Sequence, residues 1–250
     1  RQRQMCIRDR MYYDMNMNLA PHQMQPMELI SKGKGNTNLI SGYTSSSIGL
    51  SEQVTLNVGI NAQVLTLNNS WELEPRAGVK WQFSPRSSFA LAYGLHSRME
   101  KMDVYFVKTQ NTGNRSVNKD LGFTKAHHVM LSYGFKISDN VNIKVEPYFQ
   151  QLFDVPVIAD SSYSVLNRRD FYVENALVNR GKGRNIGIDI TLERYLNKGL
   201  YYMVTTSIFD SKYYGGDRKW RNTLYNRNFI VNMLGGKSGW WGMKNKICLA

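Results

Sequence analysis

The sequence predicts an all-β fold: a transmembrane antiparallel up-and-down β-barrel, of which this chain forms a part. Apolar and polar residues alternate with a period of two along most of the chain, as they do in strands that have one apolar and one polar face. Tight polar turns and longer connections follow one another in alternation. No apolar run reaches the ~18–20 residues that a spanning helix needs, which excludes a helical membrane protein.

Composition and charge narrow the class of protein further. The 250 residues are 42% hydrophobic and 12% aromatic, and the mean hydropathy is −0.43. These values are too polar for a bundle of membrane helices and too rich in strand-forming residues for a disordered chain. The net charge of +13 predicts an anionic partner or an anionic surface. Cys6 and Cys248, at opposite ends of the chain, predict neither a disulfide framework nor a metal site.

The first ten residues differ in composition and period from the rest of the chain. They lack the apolar middle of a secretory signal, and we expect residues 1–10 to be non-native or disordered sequence outside the fold. Residues 11–250 then form the partial barrel. About eleven strands are predicted, at residues 11–19, 38–50, 53–66, 74–83, 88–98, 126–137, 141–152, 185–196, 200–210, 227–235 and 240–249.

Three segments show the alternation most clearly. Every second residue is apolar from Val54 to Val64, from Val129 to Ile137 and from Ile186 to Leu192, and most of the residues between them are polar or glycine. Strands of outer-membrane barrels alternate in this way, with apolar side chains toward lipid and polar ones toward the lumen.

The connections distinguish the two ends of the predicted sheet. Tight turns are predicted at residues 51–52, 84–87, 138–140, 197–199 and 235–237, and longer connections at about 20–37, 67–73, 99–125, 153–184 and 211–226. Consecutive antiparallel strands place alternate connections at opposite ends, so one end carries the tight turns and the other the long loops. Bacterial outer-membrane barrels have this asymmetry.

A soluble β-sandwich or small barrel would also alternate. Two features favour the membrane barrel over it. Loops of roughly 25–30 residues recur at one end only, which is rare in compact soluble domains. Aromatic residues such as Trp81, Tyr133 and Trp240 gather near strand ends, where membrane barrels carry aromatic girdles.

Several segments carry motifs as well as periodicity. Glu74–Pro85 contains Glu-Pro-Arg and a following turn, and it leads into a Tyr-Gly strand at Ala92–Ser97. Further segments with matching motifs are Lys125–His128, Glu146–Gln150, Asn179–Asp189, Phe209–Tyr213, Trp220–Thr223 and Val231–Lys237. Together these segments, within about residues 36–245, resemble the barrels of TonB-dependent outer-membrane receptors.

The resemblance implies a 22-stranded barrel in the outer membrane of a Gram-negative bacterium, filled by an N-terminal plug. It implies active import of a scarce extracellular small ligand (a siderophore, cobalamin, glycan or peptide). It also implies the TonB complex, acting through the plug, as a partner, with outer-membrane lipid and lipopolysaccharide around the barrel. Neither plug nor TonB box is recognised here, so we expect a fragment that lacks the plug and the final strands and does not transport by itself. The alternatives are a passive porin-type barrel and, less favoured, a soluble basic β-domain that binds polyanions.

Cations in the predicted connection 153–184 are the candidate ligand contacts. They are Arg168, Arg169, Arg180, Lys182 and Arg184. One hypothesis is that they recognise an anionic ligand, such as a metal–siderophore chelate, and the alternative is that they are solvated or contact anionic lipopolysaccharide. A nucleic-acid site would concentrate cations on one face among stacking aromatics; here the cations scatter over several loops, so no nucleic-acid partner is expected.

The sequence predicts no catalytic, cofactor or metal site. His127 and His128 are neighbours on a predicted strand, so they point to opposite faces and cannot bind one metal ion together. Gly236-Lys237-Ser238 imitates the end of a phosphate-binding loop, but Val231 stands where that loop requires glycine. We therefore expect a protein that is not an enzyme.

Overall fold

The computed structural model describes residues 2–20, 26–108, 116–168, 172–237 and 247–249. Over these residues the strands are β1 (Gln2–Leu19), β2 (Glu28–Gly49), β3 (Val54–Leu65), β4 (Ser70–Ser84), β5 (Ser87–Arg98), β6 (Thr124–Ser138), β7 (Val141–Val157), β8 (Val178–Asn197), β9 (Leu200–Tyr214), β10 (Trp220–Asn222), β11 (Phe229–Lys237) and β12 (Ile247–Leu249). A one-turn helix, α1 (Met102–Tyr105), and a 3₁₀ turn (Val165–Asn167) lie in two of the connections.

All the strands belong to one antiparallel sheet. Strands that are neighbours in sequence pair along the path β1-β2-β3-β4-β5-β6-β7-β8-β9-β11-β12, and β10 also pairs with β9. Within the described residues the sheet does not close, because β1 and β12 each pair with one neighbour. The predicted all-β, up-and-down, partial barrel is therefore confirmed, with the three-residue β10 as an addition. Most of the predicted strand 240–249 lies outside the described residues, and residues 235–237, predicted as a turn, belong to β11.

Several strands continue further toward the long connections than predicted. Strand β7 extends to Val157 and β8 begins at Val178, so the predicted loop 153–184 shrinks to residues 158–177. Strand β2 begins at Glu28 instead of residue 38. Backbone pairing satisfies N–H and C=O groups whatever the side chains are, so a strand can continue where the apolar alternation has ended.

The connection between β3 and β4 is shorter than predicted. It is a tight turn at residues 66–69, in which Asn69 has a φ of 57°, and asparagine tolerates this left-handed region better than most residues. The strict alternation of short and long connections therefore fails at this point. The long connections at the same end of the sheet are residues 99–123, 158–177 and 215–228.

Residues 2–10 form the first half of β1. They pair with β2 in register from Gln2 opposite Ser46 to Arg10 opposite Asn38. This differs from the expectation that residues 1–10 are disordered, and the reason is again that a backbone ladder does not depend on side-chain composition. The non-native origin of this segment stays a prediction, because backbone pairing does not bear on it.

The pairing register sorts the side chains into two faces. One transverse row across β5 to β8 consists of Tyr93, Val129, Phe149 and Ile186. These side chains are between 36% and 49% exposed, so the apolar side chains of this row point away from the protein. The row on the opposite face consists of Gly94, His128, Gln150, Asn185 and Ser211. The predicted division into one apolar and one polar face is confirmed.

The buried apolar residues of one cluster lie mostly outside the sheet. They come from the connections 99–123 and 158–177 and from the end of β3, and they are Leu65, Val104, Tyr105, Phe106, Val107, Leu121, Phe123, Val173 and Leu177. Met11, Tyr13 and Leu39 of β1 and β2 pack against this cluster. The cluster shows that two long connections fold against the sheet at one end.

Candidate functional site

The polar face of the sheet lines a groove of ≈ 750 Å³. Its walls come from β2 to β6 and include Ser45, Asn57, Arg76, His96 and His128. The pairing register places these residues on the face opposite the apolar rows. The groove is therefore the interior surface of the partial barrel.

A buried carboxylate, Glu74, lies at one side of this groove and is 2% exposed. Its Oε1 accepts hydrogen bonds from Gln63 Nε2 at 2.8 Å and from the Ser97 backbone N–H at 2.7 Å. Its Oε2 accepts from Asn61 Nδ2 at 2.9 Å and from Arg76 Nη2 at 2.8 Å. Since both oxygens are fully occupied, Glu74 ties β3, β4 and β5 together and has no free lone pair for proton transfer.

The three histidines that the structure describes divide between the two faces. His128 lies in the groove with its ring centroid 4.6 Å from that of His96, whereas His127 lies on the outer face, where its Nδ1 is 2.9 Å from Tyr93 Oη. The prediction that His127 and His128 cannot share a metal ion is consistent with this placement. Among the residues that the structure describes, no group of three or more His, Cys, Asp and Glu could hold a metal ion.

The connection between β5 and β6 crosses the interior surface and reaches β2. Val107 forms a bridge with Ser31, and Lys108 N–H donates to Ile30 O at 2.7 Å. The ring of Phe106 lies over Gly33, where an added Cβ would be 2.7 Å from the ring. Glycine at position 33 is therefore what allows this close approach.

The connection between β7 and β8 joins the first one through a buried asparagine. Asn118 Nδ2 donates to Asn175 O at 3.0 Å, and its Oδ1 accepts from Leu177 N–H at 2.8 Å. Gly122 N–H donates to Asn179 Oδ1 at 3.1 Å. We call these connections, residues 99–108, 116–123, 158–168 and 172–177, the two-loop cap. The cap lies at the long-connection end of the groove.

Tyr105 is the most deeply buried ionisable group of the cap. It is inaccessible to solvent, and its Oη accepts a hydrogen bond from Glu100 N–H at 3.2 Å. Burial raises the pKa of Tyr105 to about 12, because an ionised phenol would lose its hydration. Tyr105 therefore stays neutral at physiological pH and acts as a packing residue.

The structure describes four of the five predicted ligand contacts and does not bring these four together. Arg168 lies within the cap, where its Nη2 donates to Asp103 Oδ2 at 2.9 Å. Arg169 lies outside the described residues. Arg180 follows in β8, exposed, at a shift in the pairing of β7 with β8, and it borders a small cavity beside Asp120 and Leu177 of the cap.

Lys182 and Arg184 point away from the cap. Gly181 precedes Lys182 and is buried against Val157, and Gly183 lies between Lys182 and Arg184 and is buried against Leu166. Successive residues of a strand face opposite sides of the sheet. Lys182 and Arg184 therefore share the outer face with Ile186. Both residues were predicted to lie in the connection 153–184, and a loop has no defined faces.

One outward cation was not among the predicted contacts. Lys212 of β9 lies opposite Arg184, and its Nζ is 3.1 Å from Asp210 Oδ2. The Arg184 guanidinium is 3.9 Å from the same oxygen and lies 5.7 Å from the ring centre of Trp220. The predicted strand ends at residue 210, so no sequence signal assigned Lys212 to the outer face.

An open sheet with an apolar outer face, a polar interior groove and long connections at one end is the architecture of an outer-membrane β-barrel wall. The chain has the fold of TonB-dependent outer-membrane receptor barrels, as the solved structures below show. No family model and no curated protein matches the chain. In the described part of the chain, no helix is long and apolar enough to span a membrane.

Three solved structures illustrate the likeness. The FrpB iron transporter from Neisseria meningitidis is 14% identical with a TM-score of 0.58, and the match covers 85% of this chain and 32% of that one. The ferric-catecholate import receptor Fiu from E. coli K12 is 11% identical with a TM-score of 0.61, over 86% and 34%. The ferripyoverdine receptor of Pseudomonas aeruginosa is 8% identical with a TM-score of 0.60, over 85% and 28%. The chain thus spans about a third of the length of these proteins.

Proposed function

We propose that this chain is part of the barrel wall of a receptor that imports a scarce ligand actively across the Gram-negative outer membrane. In this proposal TonB supplies the energy through a plug. The ligand we favour is an iron chelate, because the three transporters described above are named for iron or ferric ligands. The proposal makes the protein a transporter and not an enzyme.

The observation that carries the proposal is the height of the apolar band on β8. The outward residues from Ile186 to Leu192 are apolar, and Arg184 and Arg194 flank them. The ten residue steps from Arg184 to Arg194 cover about 33 Å along the strand, or about 25 Å along the membrane normal at a tilt of ~40°. That is the height of the lipid-facing band in outer-membrane barrels.

The interior surface of the sheet supports import through the lumen of the barrel. The groove carries serine, asparagine, arginine and histidine side chains. The two-loop cap lies at its long-connection end, which faces the outside of the cell in barrels of this class. Of the four predicted ligand contacts that the structure describes, Arg180 has the placement that suits a ligand at the cap, because it is exposed beside Asp120. Arg168 already pairs with Asp103, so we assign it to holding the cap.

Uptake by the whole protein that contains this segment tests the proposal. It would be produced in a Gram-negative strain without its own iron-chelate receptors, in the presence and absence of TonB, and given a panel of radiolabelled ferric siderophores. We expect uptake of at least one chelate, with TonB required. Uptake of small solutes that does not need TonB would indicate a passive porin, and release of the protein by carbonate washing would indicate a soluble domain.

A further inference from the structure

We propose that His96 and His128 together bind one divalent transition-metal ion, such as Cu²⁺ or Zn²⁺, on the interior face of the sheet. The inference goes beyond the proposed function and does not depend on it, because the two histidines face the groove whether the barrel imports actively or passively. Three observations carry it: the distance between the two rings, the space that Gly94 leaves for them, and the polar row that supports His128.

The two rings have the separation that a shared metal ion requires. His96 lies on β5 and His128 on β6, and their ring centroids are 4.6 Å apart. A metal ion lies about 2.0–2.1 Å from a ligating imidazole nitrogen, and hence about 3.2 Å from the centre of the ring. Two such rings at an angle of about 90–110° around one metal ion have centroids about 4.5–5.2 Å apart. The separation of His96 and His128 falls within this range.

Gly94 provides the space in which the two rings meet. It is directly opposite His128 in the pairing of β5 with β6. The His96 ring leans along its own strand over this glycine, since a Cβ added at Gly94 would be 2.8 Å from His96 Nε2. His128 directs its Nδ1 to Gln150 of β7, with Gln150 Nε2 at 3.4 Å. The Nε2 of His128 is therefore the ring nitrogen that is left for a metal ion.

A row of polar side chains across β6 to β9 supports the tautomer of His128 that a metal ion needs. An imidazole that binds a metal ion through one nitrogen donates the N–H of the other to an acceptor. Gln150 Oε1 accepts from Asn185 Nδ2 at 3.0 Å, and Asn185 Oδ1 accepts from Ser211 Oγ at 2.6 Å. Thr223 Oγ1 donates to Ser211 Oγ at 3.0 Å. Rotation of both amides by 180° reverses every donor and acceptor in this row, and Gln150 Oε1 then accepts from His128 Nδ1–H.

The charges beside the two histidines are compatible with a cation. Arg76 borders the same groove, but its Nη2 already donates to Oε2 of the buried Glu74 at 2.8 Å. The carboxylate offsets the charge of the guanidinium, so a metal ion at the histidines does not face an uncompensated cation.

The chemistry of the two ligands selects the class of metal ion. Imidazole nitrogens suit Cu²⁺, Ni²⁺ and Zn²⁺, whereas Mg²⁺ and Ca²⁺ prefer oxygen ligands, and Cu²⁺ binds most tightly of these ions. Two histidines fill two positions around the metal ion, which leaves the others to water or to donor atoms of a ligand in the groove.

The test titrates the whole protein, purified in detergent without a polyhistidine tag, with Cu²⁺. The groove variants are His96→Gln and His128→Gln, and the matched control is His127→Gln, which removes the neighbouring histidine on the outer face. We expect each groove variant to bind Cu²⁺ at least about tenfold more weakly than the wild type, and the control to bind it like the wild type. Electron spin-echo modulation of the bound Cu²⁺ should show two imidazole ligands in the wild type and fewer in each groove variant.

A further variant keeps both histidines and changes only the space between them. Gly94→Ala places a Cβ 2.8 Å from His96 Nε2, so the His96 ring must move. We expect weaker Cu²⁺ binding in this variant and unchanged binding in Gly49→Ala, where no atom lies within 4 Å of the added Cβ.

Three results would overturn the metal site: no Cu²⁺ binding by the folded wild type, wild-type affinity in a groove variant, or an equal loss of affinity in His127→Gln. Retention of heat-modifiable migration verifies that a variant barrel is folded, and either groove variant that folds decides the question. The import proposal is judged separately, by TonB-dependent uptake, because a passive barrel can hold the metal site and a TonB-dependent importer can lack it.

Discussion

Arg168, just after the 3₁₀ turn, donates a hydrogen bond from Nη2 to Oδ2 of Asp103 in α1 at 2.9 Å. The two residues belong to different long connections, and their side chains are only 12% and 20% exposed. An ion pair in such a position stabilises mainly because either partner alone would remain desolvated without a counter-charge. The pair therefore joins the two halves of the two-loop cap.

Replacing Asp103 by Ala should loosen the cap and leave the sheet intact. We expect a local cost of about 1–3 kcal/mol, because a mostly buried guanidinium loses its carboxylate. Hydrogen exchange of residues 99–108 and 158–168 should accelerate, while exchange in β3 and β4 stays unchanged. The matched control is Asp217→Ala, which breaks the more exposed pair with Arg221; equal acceleration in both variants would contradict the role of the Arg168–Asp103 pair.

The contact between Phe106 and Gly33 predicts that alanine destabilises the protein more at position 33 than at position 49. Gly33→Ala places a Cβ 2.7 Å from the Phe106 ring, which also packs against Tyr13 at a centroid distance of 4.5 Å. The ring must move, and we expect about 1–3 kcal/mol of destabilisation, measured by denaturant unfolding. Gly49→Ala is the control, since no atom lies within 4 Å of its added Cβ, and should change stability by less than about 0.5 kcal/mol. Adding Phe106→Leu to Gly33→Ala should recover part of the loss.

Tyr105 should lose its proton at a higher pH than a solvent-exposed tyrosine. Burial raises its pKa to about 12, above the ~10 expected in an unfolded chain. A raised pKa means that the contribution to stability is fully present below about pH 10 and is lost as pH rises through about 12. The difference in tyrosinate absorbance between the wild type and Tyr105→Phe measures this titration. A difference curve centred near pH 10 would show that Tyr105 is not buried.

A charge on the outer face should be far more costly than one on the interior face. Ile190→Arg places a cation in the middle of the outward apolar band of β8, and we expect a cost of about 2–4 kcal/mol in the bilayer. Ser207→Arg on β9 is the control, because Ser207 lies opposite Asp189 on the polar face. Heat-modifiable barrel in isolated outer membranes measures assembly of the whole protein. Equal assembly of the two variants would refute the assigned orientation of the sheet.

The sheet could be predicted from the sequence because the alternation and the turns that produce it involve only residues close together in the chain. The alternation from Ile186 to Leu192 requires one apolar face in any antiparallel sheet, and Ser138-Asp139-Asn140 has the turn chemistry that joins two such strands. The strand order and the two faces followed from these features. The ends of the strands did not, because Val178–Asn185 is held in β8 by backbone pairing and carries no regular alternation.

The sequence by itself determined an all-β chain with one apolar and one polar face and with long connections at one end, since a period of two is a property of the strand. Only the tertiary structure decided that Arg168 joins Asp103, that His96 meets His128, and that Lys182 and Arg184 face outward with Lys212. Each of these relationships depends on strand register or on how two connections pack, and residues far apart in the chain set both. The four predicted cations that the structure describes are divided for that reason: a shared loop in the sequence does not determine which side of a sheet its residues face.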